Sequence, residues 1–208
     1  MLVSSQKEVR VNLPIVKPKL LHFPYKPSHY ETECKKVIFG AMAVRKASFQ
    51  DVRELAELHI TVWRAAYKGL MPQVILDSLS LQNRKTQWQN SLRHPDEQVY
   101  LYEKENQVLG FLSLGPQRDE DKDKQTTTEL YTLYVSPEAW GKGIGRDLWL
   151  SALTHLNGYN EVSLWVLKGN RRAIRFYEKA GFEHDGHEKT ERFGDHTVHE
   201  LRYVRSLT

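Results

Sequence analysis

The sequence predicts an α/β (α+β) protein built on a single mixed, mostly antiparallel sheet of about seven strands. Seven short segments between residues 42 and 207 have the apolar pattern of strands. Apolar stripes at helical spacing follow the first strand and lie on both sides of the fifth. Because a helix separates the fourth strand from the fifth, we expect these two to form a parallel βαβ unit at the centre of the sheet.

The first predicted elements are a strand and three helices. Residues 42–48, MAVRKAS, alternate in the manner of a strand. Ser48 and Asp51 have the spacing of a helix capping box, with Asp in place of the usual Glu. Residues 52–66 then carry apolar side chains at intervals of three and four, which predicts one amphipathic helix. Two further helical segments are expected at residues 72–79 and 82–93.

The later elements alternate between strands and helices. Residues 97–115 indicate an antiparallel hairpin with a tight turn at Asn106. Residues 117–125, QRDEDKDKQ, are expected to form a solvated charged loop. A second hairpin is expected around Gly194 and Asp195. Between these lie strand 128–135, helix 145–156, strand 161–167 and a short helix that ends at Gly181.

The N-terminal segment differs in composition from the rest of the chain. Residues 1–41 contain four of the eight prolines, and residues 1–46 carry nine Lys and Arg against three Asp and Glu. We therefore expect residues 1–41 to be a basic, Pro-containing extension and residues 42–208 to form the folded domain. Met42 opens the organised pattern, which suggests it as a natural start of the protein.

Composition also excludes several classes of protein. No apolar run approaches the roughly 18 residues of a membrane span, and the first residues do not resemble a secretory signal. The single cysteine, Cys34, cannot form an internal disulfide, and no cysteine-rich metal site is possible. After residue 46 the chain carries 21 Lys and Arg against 23 Asp and Glu, too few cations for a broad polyanion surface. We expect a cytoplasmic protein without a metal, membrane or nucleic-acid partner.

A glycine-rich turn within residues 134–150, YVSPEAWGKGIGRDLWL, is the clearest functional signal. Gly141, Gly143 and Gly145 lie between a strand and a helix, where bare amide groups and the helix dipole favour a phosphate. A P-loop would need Ser or Thr after Lys142, which is followed by Gly143. In a dinucleotide fingerprint the third glycine would lie one residue later than Gly145.

A third pattern matches. Val135-Ser-Pro137 followed by Gly143-Ile-Gly145 resembles motif A of the GNAT N-acetyltransferase superfamily. Downstream, Asn170, Ala173 and FYEKAGF at residues 176–182 resemble a second motif of the same superfamily. The resemblance covers roughly residues 42–205. It implies that residues 42–208 form an N-acetyltransferase domain in which the central βαβ unit binds acetyl-CoA.

The resemblance implies positions for the cofactor. Acetyl-CoA would lie where strands 128–135 and 161–167 splay apart, with its pantetheine arm against the backbone of the first strand. The amides of residues 141–146 would hold the pyrophosphate, and Lys142 and Arg146 would add positive charge. The cofactor-binding residues expected on this basis are Leu133, Tyr134, Val135, Gly141, Lys142, Gly143, Ile144, Gly145, Arg146, Asn170 and Tyr177.

The resemblance also implies catalytic roles. An alkyl amine is mostly protonated at neutral pH, so a base must accept a proton, often through water. Glu129, at the start of the cofactor strand, is the expected base, with His199 and Glu200 as alternates. Tyr177 would protonate the leaving CoA thiolate, and strand amides near Leu133 and Val135 would stabilise the oxyanion.

Trp140 departs from the family pattern, which has Arg or Gln at this position. Trp offers one N–H donor and no charge, so Trp140→Arg is expected to tighten acetyl-CoA binding. Trp63, Tyr67 and the segment to Leu70 are expected on the acceptor side, although core packing also explains Trp63. His59 lies on the same apolar stripe and is expected to be a hydrogen-bonded core histidine.

The predicted function is acetyl transfer from acetyl-CoA to a primary amine of a small molecule or peptide, within one ternary complex. A catalytically idle acyl-CoA-binding regulatory module is the alternative, because Trp140 and the base are both open questions. A nucleic-acid or ribosome-bound protein that uses the basic extension is a further alternative. A homodimer is possible in each case.

Overall fold

The computed structural model describes residues 44–193 and 196–207. The N-terminal extension 1–41, Met42, Cys34 and the hairpin residues Gly194 and Asp195 lie outside the described residues. Within them the sheet has seven strands: β1 (Val44–Lys46), β2 (Gln98–Lys104), β3 (Gln107–Pro116), β4 (Thr127–Val135), β5 (Glu161–Leu167), β6 (Glu183–Phe193) and β7 (His196–Ser206).

Five α-helices accompany the sheet in the described part of the chain: α1 (Val52–Ala66), α2 (Gln73–Asp77), α3 (Leu81–Arg93), α4 (Ile144–Leu153) and α5 (Arg171–Lys179). None of these helices has the length and apolar content needed to cross a bilayer. The predicted fold class and order of elements are confirmed. The helix predicted at residues 145–156 ends at Leu153.

Local sequence signals explain the element boundaries. The Ser48 backbone N–H donates to the Asp51 carboxylate at 2.7 Å, and the Ser48 hydroxyl accepts from the N–H of Gln50. The predicted capping box is therefore formed, and it begins a 3-10 turn that leads into α1. The predicted tight turn between β2 and β3 is also present, with φ of +53° at Glu105 and +61° at Asn106.

The strand order is β1-β2-β3-β4-β5-β7-β6, and only β4 and β5 are parallel. These two strands pair over a short stretch, from Thr127 opposite Glu161 to Leu130 opposite Leu164. Beyond this point β4 continues to Val135 without pairing to β5. The central parallel strands therefore separate at their carboxyl ends.

A β-bulge in β4 lies where the separation begins. Thr132 is opposite Ser113 and Leu130 is opposite Leu114 of β3, so the register passes over Tyr131. Because a bulge bends its strand and increases the local twist, β4 turns away from β5 after Leu130.

The helices cover both faces of the sheet, and each face has its own core. On one face α4 packs against the central strands through Leu148 and Trp149. On the other face α1 and α3 pack over β2 and β3, with Leu55 and Trp88 buried against Phe111. Successive strand residues point to opposite faces, which explains why one strand serves both cores.

The loop at residues 117–125 is mostly exposed, as its charges predict, but ion pairs also anchor it to the sheet. Its Asp119 and Asp121 accept hydrogen bonds from Arg202 of β7, whose side chain is only 2% exposed. Arg202 also donates to Asp185 at 2.7 Å, and Lys122 pairs with Glu161. An unpaired buried guanidinium would be very costly, so these carboxylates fix the loop against the sheet.

His59 is buried in the aromatic core, as predicted, but it lacks the expected hydrogen bonds. Its ring lies within 5.6 Å of the rings of Trp63, Trp88, Phe111 and Tyr134. Neither ring nitrogen has a hydrogen-bond partner among the described residues. Burial, assisted by the nearby Arg84 charge, lowers the pKa of His59 to about 3.

The low pKa of His59 predicts an acid-sensitive fold. Unfolding releases the ring to its ordinary pKa of about 6.5, so the unfolded chain binds one more proton between about pH 6.5 and 3. The free energy of unfolding should therefore fall by ~2 kcal/mol more in the wild type than in His59→Leu when pH drops from 7 to 5. Urea unfolding followed by circular dichroism would measure both values.

The matched control is His196→Leu, which removes an exposed histidine of β7. It makes the same exchange of a histidine for leucine outside the aromatic core. Equal pH dependence in His59→Leu and the wild type would show that His59 is protonated in the folded protein.

Candidate functional site

A cleft of about 600 Å³ lies between β4 and β5 where the strands separate. Every predicted cofactor-binding residue except Lys142 lines it. Lys142 is exposed and does not line the cleft. The cleft is also lined by Trp165 and Arg172, which sequence reasoning did not select. The splayed strands thus bring both sequence motifs to one site.

The glycine turn closes one end of the cleft. Gly141 and Gly143 have φ of +76° and +86°, a conformation that side chains with a Cβ rarely adopt. Gly143 is also the N-cap of α4. The backbone N–H groups of Gly143, Ile144 and Gly145 donate to no acceptor among the described residues. Free amides at a helix N-terminus form a site for an anion.

Trp140 directly precedes Gly141 of the turn and has two side-chain contacts. Its indole N–H donates to the Val135 carbonyl at 2.7 Å, which ties the turn to the end of β4. The Arg172 guanidinium lies over the indole ring at 3.1 Å from the centroid. The backbone carbonyl of Val135 is therefore already engaged in a hydrogen bond within the protein.

Asn170 and Tyr177 are placed by α5. The Asn170 side-chain oxygen caps the helix by accepting from the N–H of Ala173 at 3.2 Å. Two turns later Tyr177 is almost fully buried beside Phe176 and Phe182. Burial and the nearby Tyr134 raise the pKa of the Tyr177 hydroxyl well above its ordinary range. Tyr177 therefore keeps its proton at neutral pH.

A second cavity of about 170 Å³ adjoins the cleft and shares Tyr67, Tyr134 and Trp165 with it. The Tyr134 hydroxyl joins its walls, because it accepts from the Trp63 indole at 3.1 Å and lies 2.9 Å from the Tyr67 hydroxyl. The structure thus brings Trp63 and Tyr67 together beside the cleft. Leu70 does not line either cavity.

Glu129 lines this second cavity, where its side chain is only 1% exposed. Arg118 binds it with two side-chain donors, at the two carboxylate oxygens, and with its backbone N–H at 3.2 Å. The Arg118 guanidinium also lies 4.3 Å from the Tyr131 ring centroid. Arg118 belongs to the same loop that Arg202 fixes in place, so that loop positions the carboxylate.

The two alternate bases have different environments. Glu200 lines the second cavity and pairs with Lys189 of β6 at 3.3 Å. Lys189 in turn lies 4.4 Å from the Trp165 ring centroid. His199 is exposed and contacts the Thr190 hydroxyl, away from either cavity. Glu129 and Glu200 are therefore the two candidates that the geometry places beside the cleft.

Comparisons with known proteins agree with this arrangement. The family model described as the acetyltransferase (GNAT) family matches residues 54–182. An uncharacterised N-acetyltransferase, YuaI of Bacillus subtilis, is 29% identical over 139 residues, which cover 66% of this chain and 78% of that protein. A mycothiol acetyltransferase of Streptosporangium roseum is 38% identical over 79 residues, 37% of this chain and 23% of that protein.

Solved structures show the same fold. The PaiA N-acetyltransferase of Thermoplasma acidophilum, described as a complex with coenzyme A, has a TM-score of 0.59 and 24% identity. The alignment covers 78% of this chain and 97% of that one. The smu.2055 protein of Streptococcus mutans has a TM-score of 0.64 and 22% identity, over 79% of this chain and 99% of that one.

The turn geometry predicts separate costs for folding and for binding. Gly143→Ala should destabilise the fold by ~1–2 kcal/mol, because the new side chain disfavours a positive φ. Its methyl group would meet no protein atom within 4 Å and would therefore project into open space beside the free amides. CoA affinity, measured by calorimetry, should fall about tenfold through lost amide contacts.

Gly158→Ala is the matched control. Gly158 has φ of +99° and the same open surroundings, but it lies outside the cleft. It should lose similar stability and keep wild-type CoA affinity. Equal CoA affinity in both variants would contradict the assignment of the anion site to this turn.

Proposed function

The chain belongs to the acetyltransferase (GNAT) family, and we propose that it moves the acetyl group of acetyl-CoA to a primary amine of a small molecule or peptide by direct attack in a ternary complex. The observation that supports this most is the splayed β4–β5 pair with free turn amides at one end of the cleft and Tyr177 in its wall. One long, narrow cofactor fits such a cleft, with its phosphates at the turn and its thioester between the strands.

The cofactor would add its pantetheine arm to β4 in the manner of a third strand. Beyond Leu130, β4 pairs only with β3, so alternate backbone groups of residues 131–135 face the cleft. A pantetheine amide can pair with these groups, and the same strand amides can stabilise the oxyanion of the tetrahedral intermediate. The pyrophosphate would accept from the free amides of Gly143, Ile144 and Gly145.

The acceptor amine would enter through the second cavity. There Tyr67, Tyr134 and Trp165 form an aromatic wall shared with the cleft, and Glu129 lies beyond it. The nitrogen must be neutral when it attacks the thioester carbon, so its proton passes to a carboxylate, directly or through water. Glu129 is an ion-paired carboxylate and is our first candidate for the group that accepts this proton.

When the tetrahedral intermediate collapses, the carbon–sulfur bond breaks and the CoA thiolate leaves. Tyr177 would donate its proton to that sulfur. Tyr177 lines the cleft, and none of the described residues hydrogen-bonds its hydroxyl. The raised pKa of Tyr177 keeps the hydroxyl protonated at neutral pH, which is the form that a proton donor needs.

One observation favours an idle acyl-CoA-binding module instead. The Glu129 carboxylate already accepts three hydrogen bonds from Arg118, which occupy both of its oxygens. Calorimetry with CoA, combined with a thiol-release assay on a panel of primary amines, separates the two functions. CoA binding without release of thiol on any amine would favour the idle module, and release would support the transferase.

Tyr177→Phe tests the acid role, because it removes one hydroxyl and keeps the packing of the ring. Turnover, kcat, should fall about a hundredfold while CoA affinity stays unchanged. Tyr203→Phe is the control, since Tyr203 is also a buried core residue but lies outside the cleft. Full turnover in Tyr177→Phe would remove this residue from the mechanism.

Glu129→Gln tests the base role. At neutral pH this exchange should lower kcat/KM about a hundredfold. At high pH, where the amine is already neutral, the loss should be smaller. The comparison is Arg118→Gln, which breaks the same ion pair but keeps the carboxylate. It should retain more activity than Glu129→Gln at every pH. Equal losses of kcat/KM and equal pH profiles in the two variants would show that Glu129 only fixes the loop. Glu200 would then remain as the candidate base.

A further inference from the structure

Arg172 is a cation in the cleft that has no carboxylate partner. Arg172 and the glycine turn with its free amides line the same cleft. Among the described residues Arg172 forms no ion pair, and its guanidinium lies over the ring of Trp140, 3.1 Å from the centroid. Tyr67, a neutral group, is the other side chain that interacts with its charge.

Arg172 is an exposed residue in the wall of the cleft. Its partial desolvation lowers the pKa of the guanidinium, which nevertheless stays charged at neutral pH. An unpaired guanidinium can bind an incoming anion without first giving up another carboxylate. Its neighbour Arg171 is also exposed but does not line the cleft, so only Arg172 of these two adjacent arginines contributes to its wall.

Trp140 explains how this flexible side chain is held. The hydrogen bond from its indole to the Val135 carbonyl fixes the ring plane against the end of β4. A guanidinium stacked on an aromatic face keeps its N–H groups at the edge, where they remain free to donate. The stack therefore reduces the entropy cost of presenting those donors to a ligand.

We propose that Arg172 is a phosphate ligand of this protein and that Trp140 is the platform that orients it, so that the pair replaces the Arg or Gln expected at position 140. The proposal rests on the proposed function, because it assumes that the cleft holds CoA. The diphosphate is the group assigned to Arg172, since it would lie at the turn amides, and Trp140 directly precedes that turn. A guanidinium can bind two phosphate oxygens at once.

This assignment reverses the effect that the sequence alone predicts for Trp140→Arg. The exchange would remove both the platform and the hydrogen bond to Val135, and it would place two guanidinium groups side by side. We therefore expect the affinity of Trp140→Arg for CoA to be no higher than that of the wild type.

Calorimetric titration of the full chain with CoA tests the proposal. Arg172→Gln should raise the Kd about tenfold, which corresponds to ~1.4 kcal/mol. Arg171→Gln, the matched control, should stay within about twofold of the wild type. Arg172→Lys should give an intermediate Kd, because it keeps the charge but loses the planar stack.

A double-mutant cycle tests the part played by Trp140. Trp140→Leu should also weaken CoA binding, and Arg172→Gln should cost much less in the Trp140→Leu protein than in the wild type. Fully additive losses would show that Arg172 does not depend on the platform and would overturn that half of the proposal. Thermal unfolding of each variant confirms that the fold is retained.

The choice of ligand distinguishes the phosphates. Dephospho-CoA keeps the diphosphate and lacks the 3′-phosphate, so the penalty of Arg172→Gln should persist with it. Pantetheine carries neither group, and the penalty should disappear. If Arg172→Gln no longer weakens the binding of dephospho-CoA, the diphosphate assignment is wrong.

The outcome for the wild type separates this proposal from the function on which it rests. A wild-type protein that binds neither CoA nor acetyl-CoA overturns the proposed function. A wild type that binds CoA while Arg172→Gln matches it within twofold overturns only the role of Arg172.

Discussion

The loss of pairing between β4 and β5 after Leu130 is the constraint on which the site depends. Unpaired backbone groups in a sheet interior are costly, so the separation needs a local cause and a compensating partner. The bulge at Tyr131 supplies the cause. An extended ligand with amides of its own would supply the partner. The cleft, the exposure of Tyr177 to it and the access of Tyr134 to the second cavity all follow from this one irregularity in β4.

The same irregularity in β4 also connects the cofactor cleft with the second cavity. Leu133 and Val135 pack toward α4, whereas Tyr134 between them packs toward α1. The hydroxyl of Tyr134 therefore lies where the cofactor cleft and the second cavity meet, held by Trp63 and Tyr67. Because alternate strand residues point to opposite faces, a single strand can offer backbone to the cofactor and an aromatic wall to the acceptor.

Periodic and local features could be predicted from the sequence. Features that depend on a partner residue far away in the chain could not. Helical stripes, the capping box at Ser48 and the glycine motif act over a few residues, and the structure contains all three. The charges of Asp119 and Asp121 gave no sign that they anchor the loop, because their partner, Arg202, lies about eighty residues later. For a similar reason the sequence did not identify Arg172 as a site residue, since its importance depends on the Trp140 ring beneath it. TELYTLYV contains neither Gly nor Pro and gives no sign of a bulge.

Charge balance in the second cavity bears on how an amine could become a nucleophile there. Its two carboxylates are already paired, Glu129 with Arg118 and Glu200 with Lys189. An entering ammonium would therefore find little uncompensated negative charge, while the aromatic walls would remove its water. Desolvation without a free counter-ion lowers the pKa of an amine. Under the proposed reaction, the cavity would favour the neutral amine before any base acts, and the carboxylate would need to accept the proton only as the new bond to carbon forms.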